Sequence, residues 1–392
     1  VKPGDQTKLY GLDHLRALAI TLVFLFHYKI PIFGHPDWLT GFAKFGWTGV
    51  DLFFVLSGFL ISSQLFSQIR QGKMISFKQF FLKRFFRIVP AFLVVVAIYF
   101  CVPSFHERES LSPLWRFLTF TQNFGLDIKQ CGTFSHSWSL CVEEHFYFFL
   151  PVILICFQFT KLFKKAYWLL IVLFLFGFII RNYCWNNFFL PNIDKDNAWL
   201  YWYKYIYYPT YNRLDGLLAG VSIAALYQFL PNLWSRVSRF GNLLIVCGLI
   251  LLTAAYFLCF EEESYYATIF GFPLVAVGYG LMVTGAISPT SFLYKLRSAT
   301  TTFIATLSYA LYLTHKGIIH VTQTLLADTI DVNSNMMLII CMAASAIAAL
   351  LLNLAVEKPF MKLREKVITR KQMQPGYEIP GTVIEQPVRT SN

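Results

Sequence analysis

The 392-residue chain is 56% hydrophobic and 14% charged, where soluble domains carry about 25% charged residues. With 41 phenylalanines and a mean hydropathy of +0.53, most of its length is built for lipid rather than water. That excludes a soluble enzyme, a disordered tail protein and a nucleic-acid reader, despite a formal net charge of +12. It also excludes an outer-membrane barrel, whose strands would alternate apolar and polar residues. The predicted fold class is all-α, a polytopic transmembrane helix bundle.

A helix crossing the hydrocarbon core needs roughly 20 mainly apolar residues. Such runs fall at about 12–32, 46–66, 88–103, 138–157, 166–182, 211–230, 241–260, 265–287, 302–322 and 335–356, which predicts about ten spanning helices. The first run is too long, and too interrupted by His14 and Arg16, for a cleaved signal peptide. Lysine and arginine in the short loops set the orientation. With both termini inside, the inner segments hold 22 basic residues and the outer loops 6, while the same outer loops hold 11 acids. Both termini are therefore expected in the cytoplasm. Residues 1–367 are read as one integral membrane domain. The stretch 368–392, with Pro375, Pro380 and Pro387 and few apolar residues, is read as a disordered cytoplasmic tail.

The eight cysteines show no CxxC or Cys/His ligand spacing, so no metal site is expected. Cys131 and Cys184 both fall in outer loops, and whether they pair is open. There is no Gly-rich phosphate loop and no internal repeat.

Ionisable side chains within spanning helices are costly and mark function by default. In the first run Arg16 and His27 are eleven residues apart, so they share one helical face about 16 Å apart along the axis. Arg16 is expected near the cytosolic end and His27 in the outer half, an arrangement suited to a ligand threading lengthwise. A snorkelling arginine and a hydrogen-bonded core histidine would give the same pattern. In the fourth run Glu143 and Glu144 interrupt an apolar span, and Glu143 lies about 7 Å below its outer end, close to the depth of His27. A carboxylate at that level is suited to fix the imidazole's tautomer; pairing with one of the arginines is the alternative. The basic, aromatic segment Phe80-Phe-Leu-Lys-Arg-Phe-Phe-Arg-Ile-Val-Pro90 puts Arg84 and Arg87 on one helical face. Guanidinium groups there suit phosphate, and an amphipathic helix lying on anionic lipid is the competing reading.

Together with these stretches, Trp47-Thr-Gly-Val-Asp-Leu-Phe-Phe-Val-Leu-Ser-Gly-Phe-Leu-Ile61 resembles the acyltransferase type 3 family, the O-antigen acetylase-like membrane acyltransferases. So do Thr121-Gln-Asn-Phe124, Asn212-Arg-Leu-Asp-Gly216, Leu307-Ser-Tyr-Ala-Leu-Tyr-Leu-Thr-His315 and Glu357-Lys-Pro-Phe360. The resemblance runs in order over roughly residues 9–365. Its departures are Cys141 in place of serine, His145 in place of glutamine, and Lys358 before Pro359 where arginine is common.

The resemblance implies transfer of an acyl group, usually acetyl, from cytosolic acyl-coenzyme A to a hydroxyl of a carbohydrate acceptor on the far side of a bacterial inner membrane. It implies a glycan or lipid-linked sugar as partner and acetyl-coenzyme A as co-substrate. Arg16 and His27 match the family's Arg-x10-His motif, Glu143 its helix-4 acid, and Arg84 with Arg87 its cytosolic basic motif. Asp51, Ser57, Asn123, Trp138, Arg213, Asp215, Tyr309 and His315 match further family positions as substrate-binding or supporting residues. On this reading His27 is the general base, Glu143 supports it, Arg16, Arg84 and Arg87 hold the donor, and His315 is a second candidate imidazole that could instead pair with Glu143 or Asp215. The rival reading is a transporter or flippase using the same intramembrane His, Glu and Arg as a substrate pathway.

Overall fold

The structure is a computed structural model that describes residues 9–29, 34–160 and 166–372. Among these residues there is no β-strand, only an isolated bridge between Leu111 and Thr133. Each apolar run is helical: α1 (Tyr10–Lys29), α2 (Gly49–Arg70), α3 (Phe77–Cys101), α4 (Trp138–Thr160), α5 (Ala166–Cys184), α6 (Asp215–Phe229), α7 (Gly241–Leu258), α8 (Phe272–Ala286), α9 (Ala299–Leu326) and α10 (Asn335–Leu352). A further helix, α11 (Lys358–Gln372), follows a π-helical turn at Asn353–Glu357. It carries helical structure into the stretch expected to be a disordered tail from residue 368; residues 373–392 lie outside the described ones.

Among the described residues, seven helical segments are long and apolar enough to cross a membrane. The ones outside that set are α1, α6 and α9. α6 is 15 residues long. α1 and α9 carry polar side chains that turn toward each other: Thr302 donates to Asp13, His14 bonds Thr301 and the Leu296 carbonyl, and His27 meets His315. Helices packed against each other need no apolar seam between them, provided every polar group finds a partner there.

The bundle is centred on α2, which lies against α1, α6 and α8. In contrast, α5 and α7 present Ile171, Val172, Leu175 and Ile179, and Leu243, Val246, Ile250 and Phe257, outward, as expected of a lipid-facing surface. Serine side chains cap α3, α9 and α10: Ser76 accepts from the Gln79 amide, Ser298 from Thr301 and Ser334 from Met337.

The competing reading of Phe80–Pro90 as a separate helix lying on lipid does not hold. These residues belong to α3, a single 25-residue helix that passes through Pro90. Arg84 is half-buried and turned inward, with its guanidinium over the rings of Phe80 and Tyr147 and donating to Gln64.

Glycines allow the central helices their close approach. Gly58 of α2 faces the Leu217 carbonyl of α6, and Gly220 of α6 faces Val55 and Phe59 of α2, so a Cβ at either would overlap main-chain atoms. Gly280 of α8 has Ala219 and Ile223 side chains as its nearest neighbours, at 3.7 and 3.8 Å. Gly220→Ala is expected to lower stability by about 1–3 kcal/mol through overpacking. Gly280→Ala should be neutral or stabilising, because alanine fits that space and is the better helix former. Thermal unfolding of the two purified variants in detergent checks the contrast; equal midpoints would refute it.

Candidate active site

A cavity of about 340 Å³ opens among α1, α9, the 102–137 connection and the 185–214 connection. Its lining mixes charges with aromatic rings: His27, Lys29, Glu107, Arg108, His136, Glu262, Lys316 and His320 alternate with Trp47, Trp138, Trp199, Tyr203, Tyr207, Tyr208 and Tyr312. At its floor three imidazoles gather. Ring centroids lie 4.9 Å apart for His27–His315 and His136–His315, and 5.7 Å apart for His27–His136.

The hydrogen bonds of this cluster determine its tautomers. His315 Nδ1 lies 3.0 Å from the Leu311 carbonyl and 2.9 Å from that of Tyr312. A carbonyl oxygen only accepts, so this nitrogen carries the proton, and in the neutral ring Nε2 is then an acceptor. His27 Nδ1 lies 2.9 Å from that Nε2 and must be the donor. Neutral His27 is thereby left with its lone pair on Nε2. His315 is fully buried and His27 half-buried, so the inner ring orients the outer one.

This replaces the expected partner. Glu143, expected at a similar depth on α4, bonds other side chains than His27. Its carboxylate accepts from Ser57 at 3.1 Å and Tyr147 at 2.7 Å. These contacts are in a second cavity of about 300 Å³, lined by Arg16, Ser57, Gln64, Arg84, Arg87, Glu143, Glu144, Tyr147 and Tyr309. Val50 and Tyr312 line both cavities, so the two meet at the Tyr312 ring. Arg16 and His27, on one face of α1, lie in different cavities on either side of that junction. The common face was legible from spacing. The helix carrying the partner of His27 was not.

The chain matches the family model described as an acyltransferase domain over residues 9–354. It belongs to the acyltransferase type 3 family. The chain is 29% identical over 344 residues to a peptidoglycan O-acetyltransferase of Listeria monocytogenes, covering 81% of this chain and 50% of that protein. A Staphylococcus aureus protein provisionally named an O-acetyltransferase is 28% identical over 338 residues, 81% of this chain and 52% of that one. A Haemophilus influenzae protein is 31% identical over 225 residues, 53% of this chain and 86% of that protein. The chain spans about half the length of the first two relatives. No solved structure matches it.

Several of the other family positions form buried contacts of the bundle. Asp51 accepts from Arg213 at 2.9 Å through both oxygens, and Asp215 pairs with Arg181 at 2.7 Å, all four side chains buried. Asp215 is thus no partner of His315. Trp138 packs 5.2 Å from the Arg213 guanidinium, Asn123 donates to Tyr208 and Thr210, and Tyr309 donates to the Ile88 carbonyl. Of the departures from the family pattern, Cys141 donates to the Ser137 carbonyl, and His145 bonds Thr210 away from both cavities above. Cys131 and Cys184 are both free thiols.

Sequence reasoning passed over His136, Glu107 and Lys316. His136 is 2% exposed, with its ring against those of His27 and His315. It is held by its own main chain: its carbonyl accepts from the Tyr312 hydroxyl, and Phe134, in a left-handed conformation with φ of 57°, stacks on Tyr99, Phe92 and Phe117. Lys316 forms a 3.0 Å ion pair with Glu107, which also accepts from the Phe134 amide. The only available signal was the position of Lys316 beside His315; for His136, in the turn entering α4, spacing offered none.

Glu262 sits at the mouth of the histidine cavity, in the connection after α7, with Lys29 and Lys44 nearby. Burial, reinforced weakly by Glu263, raises its carboxyl to about 7, against the opposing pull of the two lysines. A carboxyl raised in the folded state penalises folding only once the pH is high enough to ionise it. The penalty is absent below the ordinary carboxylate range, grows as pH rises toward 7 and is complete above it. Glu262→Gln is therefore expected to raise the unfolding midpoint at pH 8 and to have little effect at pH 4. A pH series of melting curves for both proteins reads this out; a constant offset would count against it.

Proposed function

We propose that this protein is an integral membrane O-acyltransferase that moves an acyl group, most simply acetyl, from cytosolic acyl-coenzyme A to a hydroxyl of a carbohydrate on the extracytoplasmic side. In this reading the bundle has about ten spans, both termini are cytoplasmic, and the membrane is the bacterial inner membrane. The observation that carries it is the pair of cavities that share Tyr312, with arginines along one and histidines in the other. The relatives' names support an O-acetyl group and a glycan acceptor.

The phosphates of the donor bind Arg84 and Arg87, and its uncharged arm passes Arg16 and Glu143 toward Tyr312. The arm's reach suits the rise of about 16 Å from Arg16 to His27. The acceptor enters the outer cavity, where Trp199, Tyr203 and Tyr207 offer aromatic faces to a sugar ring. His27 Nε2 takes the hydroxyl proton as the oxygen attacks the thioester carbonyl carbon. The carbon–sulfur bond then breaks, and the imidazolium returns the proton to the departing thiolate. His315 holds His27 in the required tautomer. Glu143, bonded to Ser57 and Tyr147, shapes the donor channel instead of touching the base.

His27→Ala is expected to reduce acyl transfer by about 10²–10⁴-fold, the usual contribution of a placed base. His315→Ala should cost less, because it removes orientation and leaves the base. Release of free coenzyme A thiol in acceptor-containing membranes measures both. Transfer above about a tenth of wild type in His27→Ala would exclude His27 as the base.

Sidedness separates this enzyme from a transporter. In sealed vesicles with the cytosolic face outward, external acetyl-coenzyme A should label acceptor trapped in the lumen. Equal labelling of acceptor supplied outside would place both substrates at one mouth. Donor-independent movement of the acceptor, without acyl transfer, would identify a flippase.

A further inference from the structure

We propose that Arg364 of α11 and Lys83 of α3 extend the donor site beyond Arg84 and Arg87 and bind the 3′-phosphate of coenzyme A. The proposal rests on the acyl-coenzyme A reading above and adds a residue from a helix that lies beyond the family-matched region, which ends at residue 354.

A third cavity, of about 350 Å³, is lined by Gln64, Lys83, Arg84, Arg87, Arg364 and Glu365 among others. Gln64, Arg84 and Arg87 also line the inner cavity, so the two adjoin at these residues. Four cations thus face one space with a single carboxylate. That carboxylate is a weak counter-ion: Glu365 is 4.0 Å from Arg364, and its side chain is 72% exposed. Like charges held this close repel, and a polyanion between them relieves the repulsion while supplying acceptors to each fork of donors.

The packing of α11 puts Arg364 there. The π-helical turn at Asn353–Glu357 is tied by a 2.6 Å bond from Asn353 to Glu357. Phe360 then packs its ring 6.5 Å from that of Phe86 on α3. Arg364 is four residues beyond Phe360, on the same helical face, and is carried onto the α3 basic row.

The shape selects the anion. A ligand filling both cavities has a long uncharged arm in the inner one and several phosphates outside it. Coenzyme A carries its pyrophosphate next to the pantetheine arm and its 3′-phosphate beyond the ribose. Arg84 and Arg87, at the throat, meet the first; Lys83 and Arg364, farther out, meet the second.

The test compares coenzyme A with 3′-dephospho-coenzyme A, binding each to the full chain in phosphatidylcholine nanodiscs by calorimetry. Wild type should bind coenzyme A about ten-fold more tightly, the size expected for charged hydrogen bonds to one phosphate. In Arg364→Ala, and independently in Lys83→Ala on the other helix, the ratio should fall toward one. A ratio near one in wild type, or an unchanged ratio in both variants, overturns the assignment. Loss of coenzyme A binding when phosphatidylglycerol is added would make a lipid headgroup the occupant and overturn it too. Failure of wild type to bind either nucleotide would instead remove the acyl-coenzyme A reading beneath it.

Discussion

Arg213 and Asp51 meet in the middle of the bundle, both side chains buried, with two 2.9 Å hydrogen bonds joining the start of α2 to the segment that enters α6. Lipid supplies no partner for either charge, so each depends on the other, and removing one strands its mate at a cost of roughly 3–5 kcal/mol. The Arg213 guanidinium also lies 4.1 Å from the Phe272 ring centroid, 4.6 Å from Tyr207, 5.2 Å from Trp138 and 5.8 Å from Trp47. Trp47, Trp138 and Tyr207 are walls of the histidine cavity. One ion pair therefore orders the aromatic side of the histidine cavity without being exposed in it.

The second pair, Arg181 with Asp215, repeats the device one helix away, tying α5 to the N-terminus of α6. Together they anchor α6 against α2, where Gly58, Gly216 and Gly220 let the helices approach to main-chain contact.

The histidine cluster also explains why α1 and α9 are more polar than ordinary spans. Their shared seam carries Asp13 with Thr302, His14 with Thr301, and His27 with His315. Each is satisfied across the interface, so the polarity is hidden from lipid while His27 still lines the cavity.

Composition and run length alone determined that this is a helical membrane protein, because the need to satisfy backbone groups in lipid leaves few alternatives to apolar helices. Helical periodicity placed Arg16 and His27 on one face, and motif order identified the acyltransferase family. Partner choice was another matter. Depth along two helices matched Glu143 to His27, yet depth says nothing about rotation or which neighbour lies adjacent. Packing turned Glu143 toward Ser57 and Tyr147, and His27 toward His315, 288 positions away in the chain. The basic row of α3 likewise reads the same whether it lies on a lipid surface or inside a bundle. Only the approach of α4, α9 and α11 makes it the lining of a channel. Side-chain chemistry is local and can be read from the residue order; cavities arise between elements far apart in the chain, and their geometry exists only once those elements have packed.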